Sequence, residues 1–216
     1  FSYFFSSMIT AACICPDVSS AFSLSDFSKT AYENGYRRVI VCDAEISGDM
    51  PLDVVLGKRI SAKTAKELLG AVRKAPKGAL VIADAGDNSF NRTAITTKGI
   101  HMLAGLDALP KAGFEHITAK MAAQHNVALV IELGKIIDPK TRRSALSHYA
   151  DILKLQRKYQ FPLVIASTAK TPAGLKNLQE TLALCSLFGM ERAEVYSALH
   201  AVDSLLHPKQ TVEVVE

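Results

Sequence analysis

The chain has 216 residues, 49% hydrophobic, 21% charged and 7% aromatic, with 12 Gly, 8 Pro, 4 Cys and no Trp. This composition excludes disordered, collagen-like and disulfide-framework classes, and the length suits one sizeable core, with no composition break to mark two. The net charge of +4 is unevenly spread: residues 61–160 carry 16 Lys/Arg against 8 Asp/Glu, whereas residues 1–60 carry 5 against 7 and residues 161–216 carry 4 against 6. A basic middle between mildly acidic ends predicts one positive face suited to a polyanion, although a merely solvated surface gives the same count.

The first 16 residues carry no charge, but they lack the basic start and small-residue cleavage site of a secretory signal and are short for a membrane span. Phe1–Ser7 read as a leader or as expression-derived residues, with Met8 as a native start and residues 8–216 as a single domain. Cys13, Cys15, Cys42 and Cys185 sit mostly inside apolar runs, the pattern of a reducing compartment, so the cytoplasm is the expected location.

Short runs rich in Val and Ile recur at Ile9–Cys15, Arg37–Cys42, Val54–Ile60, Ala79–Ala83, Ile100–Ala104, Val127–Leu133 and Leu163–Ser167. Continuous apolarity over five to seven residues predicts strands buried on both faces, as in a parallel sheet. Helical spacing fills the intervals. Ser25 precedes Asp26–Asn34, which Gly35 closes. Ser61 heads Ala62–Lys74, with Leu68, Leu69 and Val72 on one side. Phe114–His125, Lys140–Lys158, Gly174–Phe188 and Glu191–Ala201 follow, and Leu205–Glu216 either adds a short strand or trails off. Seven strands alternating with helices, with no central reversal, predict an α/β, TIM-barrel-like closed barrel of about seven parallel strands. An open doubly wound sheet is the alternative.

In such a barrel, chemistry sits just after the strands. The residues to weigh there are Cys13, Cys15, Asp43, Arg59, Asp84, Asp87, His101, Asp107, Glu132, Ser167 and Thr168. No H-x-H or H-E-x-x-H spacing occurs, and no Gly-rich phosphate loop. Cys13 and Cys15 share a strand face and suit two small hydrophobes better than a soft metal. Asp84 and Asp87 flank Gly86 in ordinary strand-to-helix turn and capping chemistry. Ser167-Thr168-Ala169-Lys170 fits a loop closure, a phosphate contact or, through Lys170, a Schiff base. The basic residues organise better. On one helix Arg143, Lys154, Arg157 and Lys158 fall within about 100° at 100° per residue, while His116 and Lys120 form an i, i+4 pair on another and Arg92 follows the fourth strand.

Several phrases then carry a family resemblance: FEHITAKMAAQHNVALVIELGKII from Phe114, ILKLQRKYQFPLVIASTAK from Ile152, LQETLALCSLFGMERAEVYSAL from Leu178, and upstream AYENGYRRVIV and SFNRTAITTKGIHMLAG. In order and spacing these resemble protein component 3 of archaeal ribonuclease P and its eukaryotic counterpart, a barrel related to the PHP phosphoesterases. The resemblance covers most of the chain from about Met8, and the short length with no basic tail is closer to archaeal members. It implies a subunit without catalytic residues or metal of its own, in a ribonucleoprotein whose RNA uses Mg2+ to remove the 5′ leader of precursor tRNA. It also implies a ferredoxin-like-fold protein partner and RNA contacts at Arg92, His116, Lys120, Lys158 and Lys176, with Lys170 beside them. Arg143, Lys154 and Arg157 join this RNA-binding set from the helix-face argument alone. The chain departs from relatives in two places. Where PHP enzymes carry D-L-H-x-H, it reads Ala11-Ala12-Cys13-Ile14-Cys15, without even the acidic residue that many ribonuclease P relatives keep there. Where the family has Arg-x-x-Pro-Arg, it reads Lys176-Asn177-Leu178-Gln179. The competing expectation is a PHP-type metal-dependent phosphoesterase using Asp84, Asp87, Glu132 and His101.

Overall fold

The computed structural model describes residues 9–14, 22–43, 50–110 and 113–207. Its strands are β1 (Thr10–Ile14), β2 (Arg38–Cys42), β3 (Asp53–Ile60), β4 (Leu80–Asp84), β5 (Met102–Ala104), β6 (Ala128–Glu132) and β7 (Leu163–Ala166). All pairings are parallel, and β1 meets β7 at Ala12 and Ala166 to close the barrel. The helices are α1 (Leu24–Glu33), α2 (Ala65–Arg73), α3 (Asn88–Thr96), α4 (His116–Gln124), α5 (Leu133–Ile137), α6 (Arg142–Tyr159), α7 (Leu178–Ser186) and α8 (Arg192–Leu206). All seven predicted strands are present. No helix of the described residues is long and apolar enough to cross a membrane.

Strand side chains alternate between the two faces of the sheet. One set fills the barrel interior: Ala12, Ile40, Cys42, Leu80, Ile82, Met102, Ala104, Ala128, Val130, Val164 and Ala166 form one buried cluster. Small residues dominate because seven strands leave a narrow bore. Gly57 belongs to this lining, where a Cβ would stand 2.8 Å from both Cys42 Sγ and Ile40 Cγ2. The other set faces the helices, where Phe27, Leu68, Ile95, Tyr149 and Phe161 are fully buried.

The floor of the barrel is closed by α8, whose Val202 and Leu205 join the interior cluster. Arg38, at the entry to β2, ties that helix down by ion pairs to Asp203 of α8 and, at 2.6 Å, to Asp53 of β3. Leu205 therefore lies in the last turn of α8, while residues 208–216 lie outside the described residues.

Helix starts differ from expectation. The cap of α1 is Ser23 and not Ser25, because Ser23 and Asp26 exchange both bonds of a capping box. Thr64, not Ser61, caps α2 by accepting from Glu67 N. Leu69 stays 42% exposed, so the buried stripe of α2 narrows to Leu68.

Candidate functional site

At the mouth, the carboxyl-end face of the barrel, the inward set continues with charged residues: Arg59 on β3, Asp84 on β4 and Glu132 on β6. Arg59 donates from Nε to Asp84 Oδ1 at 2.8 Å and from a terminal nitrogen to Glu132 Oε1 at 2.7 Å. The other oxygen of Glu132 accepts from Gly105 N at 2.9 Å, and Gly105 can make the turn that presents this N–H because its φ is +73°. Glu132 is 1% exposed, so a buried carboxylate here demands such pairing. Burial works against the Arg59 charge, but Glu132 and Asp84 outweigh it and hold its pKa above the ordinary arginine value. Burial, reinforced by the Glu132 charge, raises the phenol of Tyr149, whose oxygen accepts from Glu132 N at 3.2 Å. Around this centre Lys58 meets Asp43 at 2.5 Å and Lys135 meets Asp107 at 3.2 Å. The acids at the mouth are thus held by cations of the chain itself, and a guanidinium occupies the middle.

This arrangement does not gather a phosphoesterase centre. Of the four residues weighed for one, Asp84 and Glu132 both belong to Arg59. Asp87 caps α3 by accepting from Phe90 N at 2.8 Å. His101 precedes β5 and so lies at the opposite end of the barrel, a correction to its expected place after a strand. Among the described residues no group of three or more His, Cys, Asp and Glu could hold a metal ion. The metal centre that a PHP-type phosphoesterase needs is therefore not assembled by the described residues. Cys15 and the side chain of Cys13 lie outside the described residues, while Cys185 is buried, its thiol pushed up to about 12 by desolvation. Lys170 is exposed in the loop after β7, away from the desolvated pocket that a Schiff-base lysine needs.

His101 has a structural task instead. Its Nδ1 accepts from Val81 N at 3.0 Å, which requires the neutral ring, and burial lowers its pKa from 6.5. The unfolded chain then binds the extra proton first as pH falls, so this residue's contribution to stability is complete above about pH 6.5 and is lost below it. Chemical denaturation at pH 7.5 and 5.5 should show a drop that His101→Asn, which keeps an acceptor without a titrating ring, reduces. An equal drop in the variant would place the titration elsewhere.

The nine basic candidates fall on the outer surface. Helix α3 packs on α4, and α4 on α6, so Arg92, His116, Lys120 and Arg143 share one contiguous flank. His116, Lys120 and Arg143 are exposed. Arg92 is half-buried, and its Nε is shut off from solvent with no hydrogen-bond partner. The α6 stripe is long: Arg143 and Lys158 stand 15 residues apart, about 22 Å at 1.5 Å per residue. Lys154 pairs with Asp151 at 2.8 Å, and Lys158 lies 5.4 Å from the Tyr159 ring. Arg157 is committed to the fold: it bonds Glu194 at 2.7 and 3.0 Å and the Gly189 carbonyl at 2.9 Å, clamping α6 to the start of α8. Lys170 and Lys176 follow β7, apart from the α3–α4 group, and Lys176 stands 3.7 Å from Glu180. The structure therefore brings together four of the nine on one flank, leaves four spread along α6 and after β7, and assigns Arg157 to packing. Sequence reasoning did not foresee the Arg59 bridge. Its one signal was charge at the last inward position of three strands.

Away from the mouth, a groove of about 690 Å³ lies between the end of α6, the entry to β7 and α8, lined by Asn126, Gln160, Ser197 and His200 among others.

The family described as RNase P subunit p30 matches residues 8–211. Ribonuclease P protein component 3 of Methanococcoides burtonii is 32% identical over 155 residues, covering 70% of this chain and 64% of that protein. The protein of the same name from Methanothermobacter thermautotrophicus is 32% identical over 151 residues, covering 68% and 62%. The chain thus spans under two thirds of the length of these relatives. Among solved structures, a chain of the cryo-EM structure of archaeal ribonuclease P with mature tRNA superposes with a TM-score of 0.73 at 20% identity, over 90% of this chain and 89% of that one. The histidinol phosphate phosphatase of Lactococcus lactis, solved with zinc, L-histidinol and phosphate, gives 0.52 at 10% identity over 92% of each. At these identities both likenesses speak for the fold alone.

Proposed function

The chain belongs to the RNase P subunit p30 family, and we propose that it serves as a protein subunit of ribonuclease P, binding and supporting the RNA that removes the 5′ leader from precursor tRNA. The observation that carries this reading is the division of charge over the barrel. Lys58, Arg59 and Lys135 at the mouth are consumed by internal ion pairs, whereas His116, Lys120 and Arg143 stand exposed on the outer helices. Asp84 and Glu132, spent on Arg59, are poorly placed to activate a water, while the outer cations suit phosphates. On this reading the chain supplies binding and the RNA supplies catalysis with its own Mg2+. A ferredoxin-like-fold protein is the expected protein partner, within a cytoplasmic complex.

Phosphate contacts by a single cationic module give a Kd of only about 10⁻⁴–10⁻⁶ M at physiological salt. A partner that extends the positive surface would raise the effective affinity by linkage. Reconstitution tests the reading: precursor tRNA cleavage by the ribonuclease P RNA and the ferredoxin-like subunit, at moderate Mg2+, should rise when this chain is added, while the chain alone cuts nothing. Cleavage indifferent to the chain, together with metal-dependent phosphodiester hydrolysis by the chain alone, would overturn it.

A further inference from the structure

We propose that the strand-entry rim of the barrel, the end opposite the mouth, is a separate RNA-docking surface that takes the phosphate backbone of a duplex segment; this deepens the function proposed above and rests on it. Four loops feed β4, β5, β6 and β7: residues 73–79, 97–101, 124–127 and 158–162. They hold Arg73, Lys74, Lys77, Lys98, His125 and Lys158, and no Asp or Glu. Because these strands are consecutive neighbours in the barrel, the four loops form one arc. At about 8–10 Å between adjacent packed helices, the arc spans roughly 25–30 Å. All six side chains are exposed, and none pairs with a carboxylate of the described residues. Lys158 touches only the Tyr159 ring.

The rest of the molecule makes this arc distinctive. On the other half of the same rim, Arg38 is neutralised by Asp53 and Asp203, Glu33 ends α1, and the single exposed arginine, Arg37, lies over the Tyr32 ring. At the mouth Lys58, Arg59 and Lys135 are paired with carboxylates, and Lys63 and Lys170 stand exposed and apart in the loops after β3 and β7. The rim arc and the α3–α4–α6 flank beside it therefore gather the densest run of cations without a carboxylate among the described residues.

Chemistry narrows the ligand. Lysines act as point charges on phosphates and do not read base edges. Recognition of unpaired strands relies on exposed aromatic side chains that stack bases. Here Phe161 is fully buried and Tyr159 is half-buried beneath Lys158, so the arc offers charge without a stacking platform. That favours a duplex backbone. The Lys and Arg side chains of the arc also sit at or just beyond the ends of α2, α3 and α6, where positive charge stabilises the helix dipole. A dipole role alone would cost stability on neutralisation and leave nucleic-acid binding untouched.

The test is a quadruple variant of the full chain, with Lys74, Lys77, Lys98 and Lys158 each changed to Gln. It is titrated with an RNA duplex of about 16 base pairs and with an unpaired strand of equal length, from 50 to 200 mM salt. Wild type should prefer the duplex. At about 0.7–0.9 counterions per contact, the variant should lose about three from the slope of log affinity on log salt and bind at least tenfold more weakly at about 150 mM, with its Tm nearly unchanged. A lower Tm with an unchanged slope would make the lysines dipole partners and overturn the proposal. A variant with Arg92, His116, Lys120 and Arg143 neutralised separates the two levels of the argument. If that variant loses binding while the rim variant binds as wild type, RNA docks on the α3–α4–α6 flank and the rim proposal falls, with the proposed function intact. If wild type binds neither probe at 50 mM salt, both fall.

Discussion

Replacing Arg59 with Met should cost about 3 kcal/mol of folding stability and lower Tm by about 6–12 °C. The side chain is the common partner of Asp84 and Glu132, and Met keeps the aliphatic bulk while deleting the charge. Two carboxylates, one of them fully buried, then face each other without a cation. The expected loss is at the low end of the range for broken buried pairs, because Arg59 and Asp84 keep side-chain exposures of 26% and 29%. Adding Asp84→Asn and Glu132→Gln to Arg59→Met should restore most of the loss, since the penalty lies in unpaired charge more than in missing attraction. Urea denaturation of the wild type, the single and the triple variant measures this directly. A loss below about 1 kcal/mol for the single variant would mean that the mouth behaves as a screened surface network. RNA binding by the triple variant should match wild type, since the bridge is a brace and not a contact.

The barrel was readable in the sequence for a definite physical reason. Strands such as Val127–Leu133 and Leu163–Ser167 are buried on both faces, so their apolarity is unbroken and their Val and Ile content separates them from helices. The same continuity concealed α5. Strand β6 runs into Leu133–Ile137 through IELGKII with Gly134 as its one break signal, and periodicity over so short a stretch does not distinguish a strand end from one helical turn. Helix starts were blurred because several Ser and Thr residues precede each apolar stretch, and only the reciprocal bond between Ser23 and Asp26 selects one of them.

Long-range pairing was the least legible level. Arg59 and Glu132 are 73 residues apart and meet only because the register of four neighbouring strands brings both to the last inward position. Arg157 shows the converse limit. Helical spacing places it correctly on the cationic face of α6, but spacing along one helix carries no information about Glu194 on α8, which takes up the charge. The Arg-x-x-Pro-Arg position of the family illustrates a third case: Lys176 keeps a charge there, yet a carboxylate four residues on, Glu180, stands within reach of it.

These distinctions turn the basic residues into a measurable contrast. Lys120→Glu combined with Arg143→Glu should leave Tm within a few degrees of wild type, because both side chains are exposed and neither has an ion-pair partner among the described residues. Each reversal removes a phosphate contact and adds a repulsive charge. RNA affinity should therefore fall more than tenfold, the salt slope should drop by about two, and processing in the reconstituted complex should fall with it. Arg157→Ala should behave in the opposite way. It unclamps α6 from α8 and leaves Glu194, whose pKa its hydrogen bonds hold below the ordinary value, without its partner. It therefore lowers Tm, and the salt slope of RNA binding stays as in wild type. An undiminished affinity for the Lys120/Arg143 variant would remove the α3–α4–α6 flank from the RNA interface. A salt slope reduced by Arg157→Ala at constant Tm would return that arginine to it. The contrast follows from where each guanidinium or ammonium ends, and the folded barrel, not the residue type, decides that.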